Sequence, residues 1–175
     1  MIVVAIVGIL SVLATYGVRK YISNTKTAEA RNALGRMTNA AVISYENENM
    51  NSPVLAPATS TGLTRTLCNT ASAPVPANIT LVQGAKYQST TADWNADAAG
   101  GSGFSCLHFT IDQPQYYMYS YVVSGTSNPG DSFTSTANGD LNGDGVLSTF
   151  SMTGAINTGY VINIAPNMLV VNPDE

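Results

Sequence analysis

The sequence predicts an α+β fold: one long amino-terminal helix packed on an antiparallel β-sheet. Three observations carry this. Met1 to Val18 contains no charged residue, and beyond it Ala30, Leu34, Met37, Ala41 and Tyr45 recur at spacings of four, three, four and four. From Phe104 onward the apolar pattern changes to a period of two. The first two patterns are those of helices buried all round or on one stripe, and the third is that of strands. With 175 residues the chain fits one globular domain plus an extension.

Residues 1–48 read as one helix, because no proline interrupts before Pro53. Its first half is apolar on every side: Met1, Ile2, Val3, Val4, Ala5, Ile6, Val7, Gly8, Ile9, Leu10, Val12 and Leu13 leave no polar face. Such a helix must be covered all round, by lipid or by copies of itself. At about 1.5 Å per residue the uncharged run is about 27 Å long, against the roughly twenty residues that span a bilayer. The second half is amphipathic, with Arg31, Arg36, Asn39 and Glu46 largely off the apolar stripe, and needs only one covering surface. The expected organisation is a protruding assembly or membrane segment, 1–25, and a globular head, 26–175.

Within the head, 26–48 is the amphipathic half-helix, 49–103 an irregular loop and 104–175 the sheet. Pro53, Pro57, Pro74, Pro76 and the run Ala98-Ala-Gly-Gly-Ser-Gly103 punctuate the loop, with short strands expected near 79–82 and 86–88. The sheet strands are expected at 104–111, 116–124, 132–137, 146–152, 160–164 and 168–171. Turn signals at Gln113-Pro114, Asn128-Pro-Gly130 and Pro166 separate most of them.

Charged residues make up only 10% of the chain, against a usual quarter. The stem, 1–50, carries five bases and three acids, and 51–175 carries two bases and eight acids. A basic stem below an acidic head suits attraction between subunits, and equally an ordinary solvated acidic surface. The acidic head argues against a nucleic-acid partner. Cys68 and Cys106 are the two cysteines. In an exported chain an even count reads as a disulfide, the alternative being two buried thiols. The Cys-x-x-Cys-His pattern is absent, which argues against attached haem.

One local motif points to metal chemistry. In Asp140-Leu-Asn-Gly-Asp-Gly-Val-Leu-Ser-Thr-Phe-Ser151, Asp140, Asn142 and Asp144 fall at the first, third and fifth positions of a calcium loop of the EF-hand type. Gly145 falls at the sixth, Val146 can offer its carbonyl at the seventh, and Ser148 sits at the ninth. Ser151 stands where the bidentate Glu belongs, which weakens the site, and Asp131 is a candidate to complete it. The same Asn-Gly and Asp-Gly pairs also read as a turn that needs no metal. Tyr116-Tyr-Met-Tyr-Ser-Tyr121 holds four of the nine tyrosines. Tyr117, Tyr119 and Tyr121 fall on one face of a strand, where a core packing role is the first reading and an adhesive face the second. His108, the single histidine, reads as structural, and no acid–base or nucleophile set surrounds it. The chain therefore reads as a non-enzyme. Asn78-Ile-Thr80 matches a glycosylation acceptor pattern.

Met1-Ile-Val-Val-Ala-Ile-Val-Gly-Ile-Leu10 resembles the apolar core of the type IV pilin amino-terminal segment. Lys26-Thr-Ala-Glu-Ala-Arg-Asn-Ala-Leu34 resembles the second half of pilin helices more loosely. The resemblance implies that a leader and a few mature residues, including a methylated Phe and the family's acidic residue, precede Met1. A cleaved export signal is the rival, but nothing basic precedes the apolar run, and Arg19, Lys20 and Lys26 follow it. Many family members have a Pro near the end of that run. Here Tyr16-Gly17 stands in its place, so the helix either has a soft point at Gly17 or runs straight.

The resemblance implies the pilin fold and a homopolymer, a type IV pilus supporting surface adhesion or motility. Its unassembled subunit would sit in the inner membrane, with a prepilin peptidase, an assembly ATPase and a membrane platform as partners. The alternative is a major pseudopilin of a type II secretion system. A calcium-dependent binding module of dockerin type is disfavoured, because only one calcium-type loop occurs.

Overall fold

The computed structural model describes residues 2–47, 49–50, 56–60, 62–173 and 175, with 49 and 50 described by their backbone. Helix α1 spans Ile2–Glu46 without a break, straight through Gly17. Its buried residues begin at Thr27 and include all five of the expected stripe, Ala30, Leu34, Met37, Ala41 and Tyr45. The apolar positions line up every three or four residues only where the head covers the helix. From Ile2 to Val18 the helix carries no charge and is exposed, with no cover among the described residues, and Arg19, Lys20 and Lys26 follow before the buried stripe begins.

A short pairing of β1 (Asn49–Met50) with β2 (Leu63–Thr64) follows the helix. The expected strand at 79–82 is instead a 3-10 turn, Ile79–Leu81, because Asn78 turns back to accept the Thr80 amide at 3.1 Å. The segment at 86–88 contributes one bridge, Tyr87 to Gln115, and no strand. Helix α2 (Thr91–Trp94) and helix α3 (Gly103–Cys106) complete the loop region.

The expected strand at 104–111 is thus corrected. Phe104, Leu107 and Phe109 are buried, which is the spacing of a helical turn and its exit rather than alternation. Phe104 and Phe109 stand edge-on to the Trp94 ring, with centroids at 5.0 and 5.4 Å. The indole N–H of Trp94 donates to Ser89 Oγ at 2.9 Å, whose hydroxyl donates to the Ile111 carbonyl at 2.8 Å. This satellite core organises the loop region from within, so the aromatic residues read as a strand in sequence serve a different packing centre.

The sheet proper is antiparallel in the order β3–β4–β5–β6. Its strands are β3 (Met118–Ser124), β4 (Ser132–Gly139), β5 (Ser148–Ile156) and β6 (Ile162–Ile164). Strand β7 (Leu169–Val171) also pairs with β5. Strands β6 and β7 lie end to end along one edge of β5, at Gly154–Ile156 and Thr149–Ser151. The other edge of the sheet, β3, is covered by the loop, with Val75 and Tyr119 exchanging backbone hydrogen bonds at 2.9 and 2.8 Å. Helix α1 lies across β4 and β5. The result is the α+β arrangement expected from the sequence, a long helix on an antiparallel sheet, consistent with the pilin fold.

Packing between helix and sheet sets small against large. The helix contributes Ala30, Ala33 and Ala41, and the sheet contributes Tyr117, Tyr119, Tyr121, Phe133 and Phe150. The alanines let the backbone approach, and the rings fill the space left. At Gly154 the fit leaves no room for any side chain: a Cβ there would lie 2.5 Å from the Phe133 ring.

Candidate assembly surface and polar loop

The large apolar residues from Ile2 to Leu13 are between 51% and 77% exposed, and Ala5 and Gly8 are exposed with them. Met1 lies outside the described residues. Ser11 and Thr15 do not break the apolar character, because their hydroxyls donate back to helix carbonyls, Ser11 to Val7 at 2.7 Å and Thr15 to Val12 at 2.9 Å. The helix is long and apolar enough to cross a membrane. Burying this surface is worth about 25 cal/mol per Å², and the described residues leave it exposed. It therefore has to be covered by something else.

The joint between this stem and the head is built from charged and aromatic residues. Glu29 accepts from the Tyr116 amide at 3.0 Å and from the Tyr119 hydroxyl at 3.1 Å. Burial pushes the Glu29 carboxyl above its usual range, against these two hydrogen bonds and the nearby Lys86. Lys26 from the helix and Lys86 from the loop each sit 4.8 Å from the centroid of the Tyr116 ring. Farther along, Arg31 lies over Phe150 and Arg36 over Phe109. These arginines are off the apolar stripe, as expected, and clamp its two borders through cation–π contacts. Sequence reasoning missed Glu29, whose partners lie far along the chain.

Cys68 and Cys106 form a disulfide with Cα atoms 5.8 Å apart. It ties the loop to the end of α3 rather than to a strand, and Ser44 Oγ of α1 lies 2.9 Å from Cys68 Sγ. A cleft of about 680 Å³ runs beside it, with His108 among its lining residues. Tyr119 and Tyr121 on β3, and Tyr117 just before it, share one buried face, each with no exposure. Burial pushes the Tyr117 hydroxyl up to about 12. The face they form is core, which leaves no adhesive role for these three rings in the folded head.

The loop after β4 has the turn its glycines anticipate, with Gly145 at φ 91°. Asp140 is fully covered and accepts from the amides of Gly143 at 2.6 Å and Gly145 at 2.9 Å. Burial opposes its ionisation, but these amides and the Gln83 side chain outweigh burial and hold the carboxyl below its usual range. Asn142 accepts from the Asp144 amide at 2.9 Å, and Asp144 from the Val146 amide at 2.8 Å. Ser148 is buried, and its hydroxyl donates to the Gly139 carbonyl at 3.1 Å.

Asp131 does not join the loop; it accepts from the amides of Ser127 and Asn128 at 2.9 and 2.8 Å and holds the turn before β4. The residue that does reach the loop is Glu175, which accepts from the Asn142 side-chain amide. Asp140, Asn142, Asp144 and Glu175 are hard oxygen donors of the kind calcium takes. The fit is partial. The Asp140 carboxylate already serves two amides, Ser148 faces the sheet, and no cluster of three His, Cys, Asp or Glu side chains forms among the described residues.

Compared with known proteins, the chain finds no match: no family model, no curated protein and no solved structure matches it.

Proposed function

We propose that this chain is the structural subunit of a type IV pilus, polymerising through its apolar amino-terminal helix. The observation that carries the reading is the contrast along α1. One continuous helix is uncovered from residue 2 to residue 22 and carries no charge as far as Val18, and is buried on one stripe against a folded head from residue 27. A soluble protein has no use for such a stem, whereas a helical homopolymer buries it at the filament axis. Head-to-tail contacts that do not close give an open fibre. Before assembly the same surface would rest in the inner membrane, so transfer from lipid to bundle exchanges one apolar environment for another. The resemblance of the first ten residues to pilins supports this reading, and it brings with it a prepilin peptidase and an assembly machinery as partners. The role is mechanical rather than catalytic, with adhesion or motility as its outcome. Calcium held by Asp140, Asn142, Asp144 and the Val146 carbonyl would brace the head, with Glu175 as the carboxylate from outside the loop.

Substituting Asp at Val4 or Ile6 places a charge where every neighbour is apolar. Fibres should disappear from cells producing Val4→Asp, while the head of the full-length variant melts as in the parent chain. Normal fibres from this variant would refute burial of the helix. The pseudopilin reading would gain if deletion of the chain blocked protein secretion and left surface fibres intact.

A further inference from the structure

The apolar span of α1 ends in a collar of a different kind. Tyr16 and Tyr21 are 67% and 73% exposed, and Arg19 and Lys20 between them are exposed as well. At helical spacing, Tyr16, Arg19 and Lys20 share one face, and Tyr21 lies about 140° around the axis and about 7.5 Å along it. The four side chains thus cover a little over half of the circumference within about one and a half turns. The collar's two cations follow directly on the last residue of the uncharged run, Val18, so a bilayer that holds the run in its hydrocarbon core places them among the headgroups. Tyrosine combines an apolar ring with a polar tip and is enriched at that boundary, and Lys and Arg beside it are drawn to anionic lipid surfaces.

We infer that Tyr16, Arg19, Lys20 and Tyr21 form a headgroup-binding collar that seats the unassembled subunit on anionic phospholipid. The inference rests on the proposed function only in requiring that the helix enters a bilayer. Charge complementarity selects the partner: two adjacent cations at headgroup height match phosphatidylglycerol and gain nothing from a zwitterionic lipid. The collar fixes the depth of the stem and keeps the head clear of the membrane.

The test is native mass spectrometry of the full chain in neutral detergent with equal amounts of phosphatidylglycerol and phosphatidylcholine. Each basic side chain near an anionic surface is worth about fivefold, so phosphatidylglycerol adducts should dominate by about 25-fold. The ratio should fall to near one in Arg19→Gln/Lys20→Gln, and Arg19→Lys should retain the preference. These positions are exposed and outside the head, whose melting serves as the folding control. Equal retention of both lipids by the parent chain would overturn the collar and leave the apolar stem standing. Retention of neither lipid would overturn the membrane stage itself, and the collar with it.

Discussion

Glu29 is the carboxylate on which the stem enters the head, held between the Tyr116 amide and the Tyr119 hydroxyl. Burial raises its pKa, so the proton binds more tightly in the folded state than in the unfolded chain. Its contribution to stability is therefore fully present below the ordinary value of about 4.5 and is lost as pH rises through the higher folded value. Glu29→Gln keeps an acceptor for both donors and removes the charge. Denaturant titrations should show the variant gaining on the parent between pH 4 and pH 7, and equal pH dependence of the two would contradict the assignment. Gly154→Ala should lower stability by about 1–3 kcal/mol, because the added methyl meets the Phe133 ring. An unchanged melting temperature would show that the ring gives way freely. Neither site is legible in the sequence. Glu29 and Tyr116 are 87 residues apart, and Gly154 meets Phe133 only through the pairing of β4 with β5, so only the folded chain brings them together.

At the level of elements, the parts with strong periodicity are the ones the sequence shows. The stripe from Ala30 to Tyr45 is read correctly because each of its members faces the sheet. The alternation of Tyr117, Tyr119 and Tyr121 is read correctly because all three rings turn into the core, Tyr117 against Phe150 and Tyr121 against Phe133. Where a second packing centre intervenes, periodicity misleads: Phe104 and Phe109 gather around Trp94, and the segment between them turns instead of extending. The Asp140 loop lies between these cases, since its turn is plain in the glycines, whereas the approach of Glu175 is not. If calcium occupies this loop, millimolar calcium should raise the melting temperature by several degrees over a chelated sample, and Asp144→Asn should abolish the shift. No shift in the parent chain would leave the loop as a turn held by its own side chains.

The molecule as a whole is a folded head on an unburied stem, and the two halves of one helix have opposite needs. The amphipathic half is satisfied within the chain by Tyr117, Tyr119, Phe133 and Phe150, and the apolar half finds no cover among the described residues. A basic collar separates them, and the head beyond is acidic, with a balance of two bases to eight acids over residues 51–175. This polarity suits stacking of subunits with stem beside stem and head above collar, with ionic contacts softened by salt beyond about 10 Å. The most direct measurement is electron microscopy of fibres sheared from producing cells, with mass spectrometry of their protein. The pilus reading predicts thin fibres in which this chain is the dominant protein and the stem helices pack at the axis. Fibres that lack the chain, with the protein retained in the inner membrane, would contradict it.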